Sequence, residues 1–495
     1  MKLVIVESPT KCNTIQRYLG SEYVVKASLG HIRDLATSGK GGLGVDVDNG
    51  FTPTYVINKD KRGVVEELTT LSKKADEVIL ATDPDREGEA IAWHLAKVLD
   101  LDVENNKRLE FHEITRDSIS QAIKSPRTID LNLVSSQETR RILDRIIGFK
   151  LSALINRKIH SKSAGRVQSA TLKIINDHEK EIKTFVPEEY WEIDCEVELN
   201  KKNVKLTFVS DQNGEKKIIN QEMANAIVSS IGEYANVKSI STSIRTVESK
   251  LPFTTSSLQQ EAFAKLKFST SRTSSLAQSL YEGISVNGEH VGLITYIRVD
   301  STRLSPTYVA RADAYIEEAF GKQYIGHVKS GKKSLLAQDA HEAIRPTSNH
   351  RTPESVRQYL SPDQYNLYKL IYNRALASLM KPKKEEVLTI ELDCGGNTFK
   401  LEYVRTLFPG FEILYKYDAE KDDAFPTINL GDKFVISKKE KEQKFTTPPA
   451  RFTEGKVVKI MEDMGIGRPS TYSSTISTLK KRKDITEEKG EIFIT

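Results

Sequence analysis

Four acidic side chains follow a short apolar segment within seven residues, and this turn offers the clearest chemistry in the chain. The apolar segment Ile79-Leu80-Ala81 leads into a turn whose acidic members are Asp83, Asp85, Glu87 and Glu89. Carboxylates on alternate residues at a strand end converge on one side of the turn, and their oxygen atoms suit Mg²⁺ and phosphate chemistry. Acidic residues at a helix start also complement the helix dipole. The motif alone therefore leaves both a metal site and an ordinary helix start open.

A second candidate is a tyrosine in the apolar segment Gly292–Asp300, which its residue types predict to be a β-strand. Tyr296 and Arg298 lie on the same face of that predicted strand, where a phenol beside a guanidinium could bind a phosphate. Packing is the commoner role of a tyrosine in such a segment. Assigning Tyr296 as a nucleophile therefore needs support from the rest of the chain.

Charged residues elsewhere give weaker signals, each with a plain structural explanation. Lys11 follows Glu7 by about one helical turn and could be a phosphate-binding cation or a proton donor, although a lysine on a helix is usually just solvated. His341 lies near a predicted helix start, where it suits either an anion or a capped turn. Arg140 and Asp144 are four residues apart on a predicted helix, so they could form a simple ion pair or contact DNA.

Two strand-to-helix units are predicted to position these side chains. Residues 2–7 alternate as a buried strand and lead into a helix through Leu19, and a second such unit spans residues 77–99. Strands that alternate with helices predict a mostly parallel sheet, whose ligands gather at the carboxyl ends of the strands. Glu7 and Asp83 follow the two predicted strands, so we expect them at one edge of the sheet.

The rest of the chain changes character in blocks. Residues 135–182 have the pattern of helices rich in Arg and Lys. Alternation typical of strands follows at residues 190–247 and returns at 387–417, with a mainly helical insert between them. The two β segments are therefore predicted to form one domain that the insert interrupts. Lysine-rich residues 438–444 are predicted to belong to a linker into a last helical segment.

Composition limits the class of protein. The 495 residues exceed the size of a single core, and an apolar share of 38% favours several lobes with much polar surface. A net charge of +5 is only a weak sign of a polyanionic partner. The three cysteines are far apart in sequence, which excludes a CxxC zinc site and gives no disulfide framework. Because the sequence shows neither a signal peptide nor a membrane-spanning run, we expect a cytoplasmic protein without a membrane partner.

The order and wording of these motifs resemble bacterial type IA DNA topoisomerases of the topoisomerase I group, almost from end to end. Glu7 with the acidic turn would alone indicate only the broader Toprim class, which includes primases and nucleases, whereas the tyrosine segment is specific. The segments that carry the resemblance are LVIVESPTK at Leu3, LGHIRDL at Leu29, ATDPDREGEAIAWH at Ala81, FHEIT at Phe111, RRILDRIIGF at Arg140, SAGRVQSATL at Ser163, LITYIRVDSTRLS at Leu293, AHEAIRPT at Ala340 and MGIGRPSTY at Met464.

The resemblance implies an α/β fold with additional α and β domains, arranged as a toroid of four domains around a hole. On this basis we expect a Rossmann-like Toprim domain at residues 1–134. A helical DNA-binding domain would comprise residues 135–189 plus 445–495, and a β-rich arch or hinge domain residues 190–253 plus 382–444. A lid domain with the catalytic tyrosine would occupy residues 254–381 and lift off the Toprim domain to open a gate.

The resemblance also implies an activity that needs no ATP. A tyrosine attacks one DNA strand, retains a 5′-phosphotyrosine, lets another strand pass and reseals the break, which relaxes negatively supercoiled DNA. The residues that match catalytic positions are Tyr296, Arg298, Lys11, Glu7 and His341, and those that match the Mg²⁺ site are Glu7, Asp83, Asp85 and Glu87. The residues that match segments holding single-stranded DNA are His31, Arg86, Arg140, Asp144, Arg166, Gln168, Arg468 and Thr471.

Other interpretations of the same motifs stay open. A topoisomerase III-like decatenase would share them, and a primase or nuclease of the Toprim class would use the acidic turn without the tyrosine. A clamp that has lost catalysis fits less well, because both Tyr296 and the acidic turn are intact. The chain ends in a strand-like segment at Thr495 where family members continue, so we expect it to be truncated. We also expect a monomer that acts on DNA in the bacterial nucleoid.

Overall fold

The computed structural model describes residues 1–160, 163–199, 201–329, 342–416 and 423–495. Its helices are α1 Pro9–Leu19, α2 Arg62–Ser72, α3 Arg86–Val98, α4 Arg116–Lys124, α5 Leu131–Ile159, α6 Arg166–Thr184, α7 Gln221–Ser230, α8 Thr255–Leu266, α9 Thr270–Glu282, α10 Pro306–Phe320, α11 Pro353–Val356, α12 Pro362–Ala377, α13 Glu454–Asp463 and α14 Tyr472–Arg482. None of the helices formed by the described residues combines the length and apolar character needed to span a bilayer.

The strands form one parallel sheet, one closed barrel and several short two-stranded sheets. Their bounds are β1 Lys2–Val6, β2 Tyr23–Ala27, β3 Arg33–Leu35, β4 Val45–Asp46, β5 Thr52–Pro53, β6 Tyr55–Ile57, β7 Glu77–Leu80, β8 Lys107–Arg108, β9 Glu189–Leu199, β10 Lys202–Ser210, β11 Tyr234–Val247, β12 Ile284–Val286, β13 Glu289–Val291, β14 Lys383–Cys394, β15 Asn397–Phe408, β16 Lys433–Phe445, β17 Ile485–Glu488 and β18 Glu491–Ile494.

The parallel sheet has the strand order β2-β1-β7-β8 and brings two chain segments to one edge. Lys2 of β1 pairs with Glu77 of β7, so the two strands run in step and end side by side. Glu7 and the acidic turn follow these ends, as the strand-to-helix pattern predicts. The turn passes directly into α3, where the Asp85 carboxylate caps the helix by accepting from the Gly88 amide at 2.8 Å.

The closed barrel combines the two β segments of the sequence in the order β10-β15-β14-β11-β16-β9. Its apolar core includes Cys195 and Phe399, both fully buried. The predicted linker at residues 438–444 is wrong, because these residues lie in β16 and pair with β9. Lysine and glutamate alternate here with cross-strand acidic partners, as between Lys444 and Glu192 at 2.6 Å, so charge pairing maintains a polar strand.

The helical insert, residues 254–381, packs against the parallel sheet through a shared apolar core. This core joins Val4 and Ile114 of the N-terminal part to Leu293 and Tyr296 of the insert. The prediction of a regular strand at Gly292–Asp300 is wrong, because the backbone hydrogen bonds of this segment go to several different elements. Within this segment, Ile294 forms an isolated bridge with Pro346 and the Tyr296 amide donates to the His112 carbonyl at 2.7 Å. The segment is therefore held by several elements, which together fix the position of the tyrosine.

The last two helices, α13 and α14, pack against helix α6 from the middle of the sequence. Helices α13 and α14 and the β17–β18 hairpin share an apolar core with α6, in which Ile175, Val458 and Ile476 are buried. One contact ties this part to the insert, where the Glu454 carboxylate accepts from the Thr270 amide at 2.6 Å. The loop between α13 and α14 thereby lies beside the acidic turn, where Arg468 lines a cleft together with Asp85.

Candidate active site and DNA interface

Tyr296 lies against the acidic turn, although the two are more than two hundred residues apart in sequence. Its side chain is only 1% exposed, and its hydroxyl donates to Asp85 Oδ2 at 2.6 Å. Arg298 places a guanidinium nitrogen 3.6 Å from the same carboxylate oxygen. The edge of the sheet and the insert therefore bring a phenol, a carboxylate and a guanidinium to one point.

A buried ion pair continues this cluster on the sheet side. The Lys11 ammonium is 1% exposed and forms a hydrogen-bonded ion pair with Asp83. The Asp83 amide donates to Glu7 Oε1 at 3.1 Å, which holds the two strand ends together. The structure thus brings six predicted site residues into one cluster: Glu7, Lys11, Asp83, Asp85, Tyr296 and Arg298.

Burial and neighbouring charges raise the pKa values of three groups in this cluster. Burial and then repulsion from Asp83 raise the pKa of Glu7 to about 8. Burial opposes the charge of Lys11, but attraction to Asp83 and Glu7 outweighs it and raises the pKa of the ammonium. Burial and the Asp85 and Asp83 carboxylates raise the pKa of Tyr296 well above its ordinary value. The closed arrangement therefore keeps Lys11 protonated and the phenol neutral.

The backbone of the acidic turn is supported from below by a buried arginine that the sequence motifs did not single out. Arg108 has no exposed surface, and its guanidinium donates to the carbonyl oxygens of Thr82 and Asp83, both at 2.7 Å. The Glu89 carboxylate lies 3.2 Å from the Arg108 guanidinium and neutralises its charge, and it also pairs with Arg127 at 2.7 Å. The fourth acidic residue of the motif is thus part of the turn's support. The sequence signal that could have pointed to Arg108 is the FHEIT motif, which follows it at Phe111.

The Glu87 carboxylate contacts His31 and two residues of α5. His31 Nε2 lies 3.4 Å from Glu87 Oε2, the Gln137 amide donates to the same oxygen at 3.0 Å, and Arg140 lies 3.8 Å from Oε1. Although burial opposes ionisation, the hydrogen bonds from His31 and Gln137 lower the pKa of Glu87 to about 2. Gln137 is a site residue that sequence reasoning missed, because a glutamine on a helix carries no distinctive pattern.

Three other residues predicted to contact DNA, Asp144, Arg166 and Gln168, lie on α5 and α6. Arg140 and Asp144 form the predicted i,i+4 pair at 3.8 Å. Arg166, the first residue of α6, donates to Asp144 at 2.7 Å and so joins the two helices. The Gln168 side chain lies over the Gly165 backbone, where a Cβ would collide with it. A side chain at position 165 would therefore displace the end of the Gln168 side chain.

A cleft connects the tyrosine cluster to the C-terminal helices. Four guanidinium groups and three carboxylates line it, together with neighbouring residues. The charged members are Arg86, Arg140, Arg298, Arg468, Asp85, Glu87 and Asp300. The Arg468 loop is shaped locally, since the Thr471 hydroxyl accepts from the Arg468 amide at 2.8 Å. A concentration of guanidinium groups in a cleft suits the phosphates of a nucleic acid strand.

The donor chemistry of the acidic turn fits a divalent cation. Glu7, Asp83 and Asp85 supply hard oxygen atoms, and a bound divalent cation would favour the ionised form of Glu7. Each carboxylate already has a contact, and no group of three or more His, Cys, Asp or Glu side chains among the described residues is arranged to hold a metal ion. The set of metal ligands therefore stays a prediction. His341, the remaining predicted catalytic residue, lies outside the described residues.

Comparisons with known proteins identify the family of the chain. The Toprim domain family model matches residues 2–114, and the DNA topoisomerase family model matches residues 128–495. Among solved structures, full-length topoisomerase I from Thermotoga maritima is 42% identical with a TM-score of 0.88. The match covers 100% of this chain and 80% of that chain.

A Toprim domain joined to a tyrosine-bearing insert defines the class of protein as a topoisomerase that acts on DNA. The chain belongs to the type IA DNA topoisomerase family and is similar to bacterial topoisomerase I. The predicted fold class and enzyme class are thereby confirmed. Toprim domains bind divalent metal ions, so the acidic turn belongs to a domain of the expected chemistry.

Proposed function

We propose that the chain relaxes negatively supercoiled DNA by cutting one strand with Tyr296 and resealing it without ATP. The observation that carries this proposal is the contact of the Tyr296 hydroxyl with Asp85 at 2.6 Å, beside the Lys11 ammonium and the Arg298 guanidinium. A nucleophile, a carboxylate and two cations in a buried pocket are what phosphoryl transfer requires.

Cleavage would begin with a phenol that the closed site holds neutral. Asp85 already accepts the hydrogen bond of Tyr296 and is therefore placed to accept its proton. The phenolic oxygen forms a bond to phosphorus while the bond from phosphorus to the 3′-oxygen breaks. Lys11 gives its proton to that oxygen, leaving a 3′-hydroxyl and a 5′-phosphotyrosine. Rejoining is the same step in reverse, with Glu7 close enough to Lys11 to tune its proton.

Arg298 and His341 are assigned to the phosphate. Arg298 is close enough to the reacting phenol that its guanidinium would neutralise charge on the phosphoryl oxygens as it builds. His341 is assigned the same task by its match to the family motif alone. The two side chains would then act on the same group from different parts of the insert.

Mg²⁺ is proposed as the cofactor, held by Glu7, Asp83, Asp85 and Glu87. A bound ion would neutralise these carboxylates and position the DNA ends for rejoining. A chelator should therefore leave cleavage possible and make covalent complexes accumulate. Equal loss of cleavage and rejoining in the chelator would contradict this division of labour.

The single strand is proposed to run from the guanidinium cleft along α5 and α6. The contacts would come from residues that surround Glu87 and Asp144 and from the Arg468 loop: His31, Arg86, Arg140, Asp144, Arg166, Gln168, Arg468 and Thr471. Backbone contacts of this kind set the register of the strand, and a few side chains reach the bases. A mild sequence preference at the cut would follow.

The strand gate is proposed to lie between the Toprim domain, residues 1–134, and the lid, residues 254–381. The β domain at 190–253 plus 382–444 would be the hinge arm, and the helices at 135–189 plus 445–495 would hold the strand. The support is that Tyr296 and Asp85 lie on opposite sides of this boundary. We propose that a monomer suffices, because one chain supplies every residue of the cluster.

End-labelled single-stranded DNA tests the chemistry. After incubation with Mg²⁺ and denaturation, we expect the fragment downstream of the cut to stay on the protein through its 5′ phosphate. Attachment through a 3′ phosphate would refute the mechanism. Relaxation of a negatively supercoiled plasmid should also exceed unlinking of gapped DNA catenanes, and the reverse order would favour a topoisomerase III-like decatenase.

A further inference from the structure

A second tyrosine lies inside the catalytic cluster and has no part in the chemistry described so far. Tyr281, near the C-terminal end of α9, is 0% exposed. The Lys11 ammonium lies 5.2 Å from the centre of its ring. The ring of Tyr296 meets it edge to face, with centroids 5.4 Å apart and an interplanar angle of 68°. One ring therefore touches both the proposed proton donor and the proposed nucleophile.

The position of this ring is fixed by the backbone around it. The Leu293 amide donates to the Leu280 carbonyl at 2.8 Å, which ties the end of α9 to the segment bearing Tyr296. A Cβ on Gly292 would come within 2.7 Å of the Tyr281 carbonyl oxygen, so the two segments approach too closely for any other residue to fit. The backbone segments that carry Tyr281 and Tyr296 are consequently packed directly against each other.

The ring face, not the hydroxyl, makes the contact with Lys11. The Tyr281 hydroxyl is buried and has no hydrogen-bond partner among the described residues. A desolvated ammonium over an aromatic face gains about 2 kcal/mol, and Lys11 is 1% exposed. Lys11 is thus held by a carboxylate of the Toprim domain on one side and by an aromatic face of the insert on the other.

We propose that Tyr281 is a positioning residue for strand cleavage, whose ring holds the Lys11 ammonium in line with the leaving oxygen and beside Tyr296. Because Tyr281 belongs to the insert and Lys11 to the Toprim domain, the contact exists only when the gate is closed. Closure would then assemble the proton donor as well as the nucleophile, so an open gate would lack both. Tyr281 has this task only if Lys11 is the proton donor proposed above.

Two substitutions distinguish the contribution of the Tyr281 ring from that of its hydroxyl. Tyr281→Phe keeps the ring and should cleave within about threefold of the wild-type rate, whereas Tyr281→Leu should lose about 30-fold, which corresponds to about 2 kcal/mol. If Tyr281→Phe is as defective as Tyr281→Leu, the hydroxyl is the working group and the proposal is wrong. If Tyr281→Leu cleaves normally, the proposal is also wrong.

A modified substrate shows whether Tyr281 acts through Lys11. Replacing the 3′-bridging oxygen at the cut by sulfur gives a leaving group that needs no proton, since thiols ionise near pH ~8.5. The defects of Tyr281→Leu and Lys11→Ala should both shrink at least tenfold on this substrate. If Lys11→Ala is rescued and Tyr281→Leu is not, Tyr281 only supports the fold. If Lys11→Ala is not rescued, the proton-donor role itself fails.

A graded series covers the case in which Tyr281→Leu does not fold. Phenylalanine, monofluoro-, difluoro- and trifluorophenylalanine at position 281 keep the ring shape while weakening its attraction for a cation. The logarithm of the cleavage rate should fall steadily along the series. A flat series in folded protein would overturn the proposal.

Discussion

Replacing Gly88 by alanine tests whether DNA cleavage depends on the shape of the acidic turn. Gly88 lies in the first turn of α3. A Cβ added there would come within 2.8 Å of the Asp83 amide nitrogen and closer still to the Asp83 carbonyl oxygen. Backbone atoms cannot rotate aside as the end of a side chain can. The strand end or the helix start must therefore shift.

The magnitude follows from two losses. Forcing a methyl group into packed backbone costs about 1–3 kcal/mol. The Gly88 amide also donates to the Asp85 carboxylate at 2.8 Å, and losing such a helix cap costs about 0.5–2 kcal/mol. Gly88→Ala should therefore lower the free energy of unfolding by roughly 2–4 kcal/mol. Because Asp85 holds Tyr296, formation of the covalent complex should fall by roughly tenfold or more.

The assays are urea unfolding and the yield of covalent complex on single-stranded DNA. Gly63→Ala is the matched control, because a Cβ at Gly63 in α2 would meet nothing within 4 Å. A Gly88→Ala protein with wild-type stability and normal cleavage would refute the reasoning. It would show that the turn can shift without disturbing the nucleophile.

Three further perturbations test separate parts of the molecule. Burial lowers the pKa of His94 to about 3, so below about pH 6.5 the unfolded state binds more protons than the folded state. The free energy of unfolding should therefore fall by about 1.4 kcal/mol per pH unit from there down to about pH 4. Urea midpoints of His94→Asn should lose this slope while exposed His350→Asn keeps it, and equal slopes would contradict the burial argument. Glu113 pairs with buried Arg345 of the insert at 2.7 Å, across the proposed gate. Glu113→Gln should therefore weaken gate closure by about 1–3 kcal/mol and raise the equilibrium fraction of cleaved DNA. An unchanged fraction would show that this ion pair does not hold the gate closed. Arg166→Ala should weaken single-strand binding and lower the salt slope of log K by about 0.7, and an unaltered slope would exclude a phosphate contact.

Sequence patterns predicted the parts of the site that depend on regular elements. Glu7 and Asp83 follow parallel strands, and strand register alone brings them to one edge. The prediction that Tyr296 lies near the acidic turn rests on family resemblance, because no local sequence pattern specifies a contact between the insert and the sheet. The fold class followed from the same resemblance and is confirmed.

Other features depend on tertiary contacts that leave little trace in sequence. Glu87 turns toward His31 and Gln137, whereas alternation alone placed it with the other carboxylates. Arg108 supports the turn through backbone carbonyls, which carry no sequence signal. The lysine-rich strand β16 has the sequence pattern of a linker, because its stability comes from cross-strand charge pairs in place of apolar residues.

Mass spectrometry of the covalent complex tests the central claim most directly. Trypsin should release residues 273–298 as one peptide, because Arg272 precedes it and Arg298 ends it. This peptide contains both Tyr281 and Tyr296, so fragment ions can assign the modified residue. After nuclease digestion we predict a nucleotide linked through its 5′ phosphate to Tyr296. A nucleotide on Tyr281, on another residue or linked through a 3′ phosphate would contradict the assignment of Tyr296 as the nucleophile.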